Sequence, residues 1–129
     1  MILLDSDIVI YLFKAQTRDL IARQLRDGAI ATCNLVKAEV LGYPGLSEAD
    51  VGELRGFFGS LTNFAFDEEV TEAVIAIRRR LRLPLPDAII AGTALAHDLV
   101  LWTHNWRDFE GVPGLRMFDP LATTGGTPR

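Results

Sequence analysis

The chain of 129 residues contains one cysteine, two histidines and, by inspection, only two lysines, Lys14 and Lys37. A single thiol, Cys33, excludes a disulfide framework and a multi-cysteine zinc site, and it fits a reducing cytosol. His97 and His104 are too isolated in the sequence for a metal cluster or a nucleophilic triad, and no glycine-rich phosphate loop is present. The longest apolar stretch, 88–96, contains Thr93 and falls short of the ~18 residues a membrane span needs. The opening Met-Ile-Leu-Leu-Asp has no basic leader, and Asp5 and Asp7 interrupt its apolar run, so no signal peptide is expected. These absences together describe a soluble, cytoplasmic chain with no membrane partner. Its formal charge of −4 argues only weakly against nucleic acid, because a local basic patch binds phosphates even on an acidic protein.

What is present is an ordinary globular composition, 49% apolar and 23% charged, at a length that suits one domain. Residues 1–122 are expected to form it, with 123–129, polar and glycine-rich, as a flexible tail. Short apolar runs at 2–4, 29–32, 61–66, 99–102 and 115–118 read as strands. Helices are expected over 8–14, 19–26, 34–41 with Asn34 as cap, and from Ser47, which meets Asp50 in a capping-box pattern. Val70, Val74, Ile77 and Leu81 share one face of a further helix over 70–81. Pro86 is placed to open the next helix at its first position. Strands alternating with helices predict an α/β fold, a three-layer α/β/α sandwich around a mostly parallel sheet. In such sheets ligands bind beyond the carboxyl ends of the strands.

Four acids fall where that edge is expected. Asp5 directly follows the first strand, where an unpaired buried charge is costly, so it reads as functional, whereas Asp7 reads mainly as the cap of the next helix. Glu39 lies one turn inside the helix 34–41. Asp87 opens a helix that is apolar nearly all round and therefore buried. Asp108 follows the strand 99–102 in the segment Thr103-His-Asn-Trp-Arg-Asp-Phe109. Two carboxylates ~6 Å apart repel by about 3 kcal/mol at an effective dielectric near 20, so a converging set raises its pKa values or holds a cation. Oxygen ligands alone favour Mg²⁺ or Mn²⁺ over zinc, and such an ion suits phosphodiester hydrolysis.

The order and context of these acids resemble the PIN-domain nucleases, and within them the VapC-type toxins of toxin–antitoxin pairs, over residues 3 to about 121. Leu3-Leu-Asp-Ser-Asp-Ile-Val-Ile10 looks like the opening strand and first metal-binding aspartate of that family, with Asp7 where Asn is usual. Val36-Lys-Ala-Glu-Val-Leu-Gly42 matches the segment of the family glutamate, and Leu85-Pro-Asp-Ala-Ile-Ile-Ala-Gly-Thr-Ala94 the third motif. Leu101-Trp-Thr-His-Asn-Trp-Arg-Asp-Phe109 is similar to the fourth, with His104 in place of its Arg. The resemblance implies a Mg²⁺- or Mn²⁺-dependent ribonuclease with Asp5, Glu39, Asp87 and Asp108 as catalytic metal ligands. In the fourth motif the acid can stand at Asn105 instead, and Thr103 or Asn105 can hold a metal-bound water. It further implies a homodimer and a small antitoxin partner that covers the site.

Other features have plainer readings. Arg78-Arg-Arg80 and Arg82 form the only basic run, read first as the solvated end of a helix and second as a phosphate-contacting patch. Trp102, Trp106 and Phe109 could stack bases but more simply belong to the core, as does Cys33. Asp5-Ser-Asp-Ile-Val9 also resembles the opening of haloacid-dehalogenase-type phosphatases, with Asp5 as nucleophile, but that family and the phosphate-receiver domains need a later lysine. A PIN-like domain kept only for binding is the non-enzymatic alternative.

Overall fold

The computed structural model describes residues 1–25 and 28–122. The tail 123–129 and the end of the helix expected over 19–26 lie outside the described residues. Along the chain run β1 (Ile2–Leu4), α1 (Ser6–Leu12), α2 (Arg18–Leu25), β2 (Ile30–Cys33), α3 (Asn34–Leu41), α4 (Glu48–Gly59), β3 (Thr62–Phe64), α5 (Glu68–Arg78), α6 (Leu85–Ala96), β4 (Val100–Trp102) and β5 (Met117–Phe118). The strands form one five-stranded sheet in the order β3-β2-β1-β4-β5, parallel at every pairing. Parallel pairing demands a crossover between strands, and the helices supply it, giving the three-layer α/β/α architecture.

The strand order reverses at β1. The chain builds outward from β1 through β2 to β3, then returns through α5 and α6 to lay β4 on the other side of β1. Leu4 pairs with Trp102 in that central ladder, so the residues that follow, Asp5 and Thr103, emerge side by side at the carboxyl edge. This is the topological switch point at which open α/β sheets carry their ligands.

The helices begin and end for identifiable reasons that refine the expected boundaries. Asp5, not Asp7, is the N-cap of α1, which therefore starts at Ser6. Ser47 and Asp50 close a reciprocal capping box on α4. Asp67 caps α5 by accepting from the Val70 amide, so this helix spans Glu68–Arg78 and Leu81 lies beyond it. Asn34 is the first residue of α3 rather than its cap, and its Oδ1 instead accepts from Asn63 Nδ2 on β3 at 2.8 Å. Pro86 occupies the second position of α6, since Leu85 is the first. Its missing N–H is equally harmless there, because no first-turn amide has an intrahelical partner. β3 and β5 are shorter than expected, as edge strands often are.

The core gathers Leu3, Leu4, Ile8 and Val9 with the inner faces of the surrounding helices, and Cys33, Trp102 and Phe109 are buried in it. Helix α6 is buried continuously from Ala88 to Ala94. Its seat against α5 depends on Gly92. A Cβ there would lie 2.8 Å from Val74 Cγ2 and 3.3 Å from the Val74 amide nitrogen. Gly92→Val therefore forces the two helices apart and is expected to destabilise the protein by about 2–3 kcal/mol, against only about 0.3–0.5 kcal/mol of helix propensity gained on replacing glycine by a β-branched residue. Thermal unfolding is the measurement, and a variant as stable as wild type contradicts this packing.

Candidate metal centre

Asp5 is the most buried of the four expected acids. It is 7% exposed, its amide donates to the Trp102 carbonyl at 2.9 Å, and its carboxylate is held on both sides. The Ser6 amide donates to Oδ1 at 2.8 Å and the Thr103 hydroxyl to Oδ2 at 2.8 Å. Thr103 is itself fully buried and accepts from the Asn105 amide at 3.0 Å, which orients its proton toward Asp5. Burial above all, with Asp7 and Asp87 nearby, raises the Asp5 carboxyl from 3.8 to about 7, against the lowering effect of those two hydrogen bonds.

The other three expected acids surround it from separate elements. Glu39 is exposed on α3 and accepts the Ser6 hydroxyl at 2.6 Å, so one residue joins the carboxylates that end β1 and line α3. Asp87 is half-buried in the first turn of α6; burial, then Asp108, then Glu39 raise its carboxyl. Asp108 is exposed at the end of a 3₁₀ turn, Trp106–Asp108. Among the described residues, no three of these four acids bring oxygens within 4.8 Å of one another. They act on one another electrostatically across a wider space.

Asp7 has a different place from the one expected. Its Oδ2 accepts from the His104 amide and from Asn105 Nδ2, both at 3.1 Å, tying α1 to the segment after β4. Its Oδ1 is buried without a hydrogen-bond partner, and burial raises this carboxyl to about 6. Asn105 is thereby committed to Asp7 and Thr103. His104 is not isolated, since its Nδ1 lies 3.1 Å from Asp119, a buried acid that follows β5. Asp119 was legible by the same signal as Asp5, an acid directly after a strand, but β5 is too short to announce itself.

A second expectation is corrected at a distance in sequence from these residues. Asp67, Glu69 and His97 bring one potential ligand atom each within 4.8 Å of the others. His97 stacks on Phe64 with ring centroids 4.1 Å apart, and its Nε2 is buried without a partner. The packing of α6 on α5 carries His97, 30 residues along the chain, to the cap of α5, which no local pattern reveals.

The electrostatics of Asp5 and Asp7 have a consequence for stability. A folded-state carboxyl whose pKa is raised binds its proton more tightly than in the unfolded chain, so its penalty is absent below pH ~4, grows as pH rises, and is complete above about 7 for Asp5. Metal-free protein is expected to lose on the order of a few kcal/mol of stability between pH 4.5 and pH 8 through these groups. Asp5→Asn flattens that profile. Denaturant unfolding at the two pH values checks it, and equal slopes in both proteins contradict the assignment.

Comparison with known proteins adds the ancestry. The PIN domain profile matches residues 2–115. Among curated proteins none matches. A toxin–antitoxin complex from Klebsiella pneumoniae contains a chain 29% identical, with a TM-score of 0.77 over 93% of this chain and 98% of that one. DNA-bound VapBC from Salmonella typhimurium is similar at 24% identity, with a TM-score of 0.81 over 93% of this chain and 99% of that one. VapBC-1 from nontypeable Haemophilus influenzae is similar at 22% identity and a TM-score of 0.80, over 95% and 100%. The profile match covers most of the sequence and the shared fold extends it nearly end to end: this chain belongs to the PIN domain family.

Proposed function

We propose that the protein is a divalent-metal-dependent endoribonuclease, the toxin of a toxin–antitoxin pair, and that Asp5, Glu39 and Asp87 hold its cation with Asp108 completing the set. The observation that supports this most is the Asp5 carboxylate, buried at the switch point among like charges with its pKa raised to about 7. Buried carboxylates are unstable neighbours without a positive charge between them. The donor set fits a hard cation, because all four acids offer oxygen. The wide spacing suits Mg²⁺ or Mn²⁺, which retain water among their ligands. When bound, such an ion polarises the phosphoryl oxygen, acidifies an attacking water and neutralises the leaving oxygen.

The residues do the positioning. Thr103 and the Ser6 amide fix both Asp5 oxygens, leaving their outer lone pairs free for the cation. Ser6 turns Glu39 toward the same space. Asp87 is carried by a helix buried continuously from Ala88 to Ala94, and this lowers the ordering cost at binding. Metal affinity should rise with pH, since protonated Asp5 and Asp87 must first release their protons.

The similar chains solved as toxin–antitoxin and VapBC complexes support an antitoxin partner for this one. A groove between Ile10, Phe13, Val40, Tyr43, Leu46 and Leu54, edged by the charged Lys14, Arg18, Asp50 and Glu53, offers a surface for it, with Tyr43 61% exposed. Homodimerisation and a cytoplasmic location belong to the same reading; among the described residues, no helix is long and apolar enough to cross a membrane. A haloacid-dehalogenase-type phosphatase is disfavoured because both lysines, Lys14 and Lys37, precede β3.

Cleavage of single-stranded RNA by the purified chain, with Mg²⁺, with Mn²⁺ and with chelator, is the test. Asp5→Asn and Asp87→Asn should each lower the metal-dependent rate by at least about 100-fold, the order seen when electrostatic stabilisation of a transition state is removed. Their metal-free stability should equal or exceed that of wild type, because each relieves carboxylate repulsion. Asp7→Asn should keep most activity, since the amide oxygen can still accept from His104. Wild-type cleavage by the Asp5 and Asp87 variants contradicts the site, and an inert wild type leaves a binding module.

A further inference from the structure

The basic run at 78–82 is the one sequence feature that neither the core nor the carboxylate site absorbs. Arg78, Arg79, Arg80 and Arg82 supply four of the 13 cationic side chains within five residues of an otherwise acidic chain. All four are exposed. Among the described residues none of them makes a side-chain hydrogen bond or ion pair, whereas Arg18 and Arg23 bond nearby carbonyls and Arg116 pairs with Asp98 at 2.7 Å. Solvation of a helix end accounts for only half of the run. Helix α5 ends at Arg78 with Arg79 as its cap, so the dipole gives no reason for cations at Arg80 and Arg82.

Those two arginines stand in the connection that leads to α6 and its first-turn Asp87. Arg82 and Asp87 are five positions apart, a reach of at most ~18 Å even if fully extended. The residue between the arginines, Leu81, lies against the turn that follows Asp108, since a Cβ on Gly111 would be 3.5 Å from Leu81 Cδ2. The connection therefore runs along the rim between two of the site's acids. A polyanion approaching these carboxylates on a chain of charge −4 meets repulsion, and unpaired guanidinium groups at the rim are what offsets it.

We infer that Arg80 and Arg82, flanked by Arg78 and Arg79, form a phosphate-binding rim that holds the RNA strand a few nucleotides from the bond being cut. This rests on the ribonuclease reading of the carboxylate site. The guanidinium fork matches phosphate oxygens in pairs, and the contacts are to the backbone rather than the bases, so they raise affinity without selecting sequence.

The experiment compares the full wild-type chain with Arg80→Gln/Arg82→Gln and with a charge-matched control, Arg23→Gln/Arg55→Gln. Fluorescein-labelled single-stranded RNA is cleaved with Mn²⁺ at several NaCl concentrations, and its binding is followed by fluorescence anisotropy in chelator. For the rim variant, KM should rise about tenfold with kcat within about twofold of wild type, and the slope of log affinity on log salt should fall by about 1.4, near 0.7 per lost phosphate contact. The control should match wild type in KM. The rim variant replaces exposed, unpaired side chains and the control loses only the exposed bond from Arg23 to the Asp19 carbonyl, so thermal melting should change little in either. A rim variant indistinguishable from the control overturns the inference while leaving the nuclease reading intact, and so does a loss confined to kcat. Weakened binding of polyglutamate with unchanged RNA affinity also overturns it, in favour of an acidic protein partner. If wild type cleaves no RNA yet binds it with the arginine-dependent slope, the nuclease reading fails and the phosphate rim stands.

Discussion

The hydrogen bond from Thr103 to Asp5 joins the two halves of the chain at the point where the sheet reverses. It spans 98 residues, is fully buried, and exists only because β1 and β4 are adjacent and in one register. A buried carboxylate with one side unsatisfied costs several kcal/mol, so a register shift between these strands, which would turn Thr103 away, is penalised at this contact as well as in the core beneath. The fold and the site are specified by the same pairing. Ser6 extends the arrangement to α3 through Glu39, and Asp7 extends it to the segment after β4 through His104 and Asn105.

The cost of that arrangement lies in charge. Asp5 and Asp7 sit two residues apart, partly desolvated, with Asp87 and Asp119 within electrostatic reach, and both carboxyls are pushed well above their ordinary range. A structure optimised only for stability would place asparagine or serine at such positions. The orphaned Asp7 Oδ1 makes the same point, since a buried oxygen without a donor is tolerated where strain or function requires it. Polar groups that bond the ionised form, the Ser6 amide and the Thr103 hydroxyl, limit the penalty without removing it.

Much of this was legible in the residues. The apolar runs and the carboxylates that follow them located β1, β4 and the edge between them. The helix from 85 announced its burial through Ala88 to Ala94. Where the reading failed, a tertiary contact had overruled a local preference. Asp7 looks like a cap because an apolar helical pattern starts at Ile8, yet His104 and Asn105 claim its carboxylate and Asp5 takes the cap. Asn34 looks like a cap until Asn63 bonds it across β2 and β3. His97 and His104 look solitary because their partners, Asp67 with Glu69 and Asp119, lie 28 to 30 and 15 residues away.

Sequence by itself determined the class of fold and the place of Asp5 at the end of β1, because hydrophobic period and the rarity of charge beside apolar runs are local properties. It also set the chemistry the acids can support, since oxygen donors favour hard cations wherever they meet. Only the tertiary structure decided which oxygens face one another. Strand order, register and helix docking are cooperative outcomes of the whole core, and a hydroxyl 98 positions away has no local signature at Asp5. The division between legible and hidden therefore follows sequence separation: what the backbone period and its neighbours enforce can be read, and what long-range packing brings together must be seen.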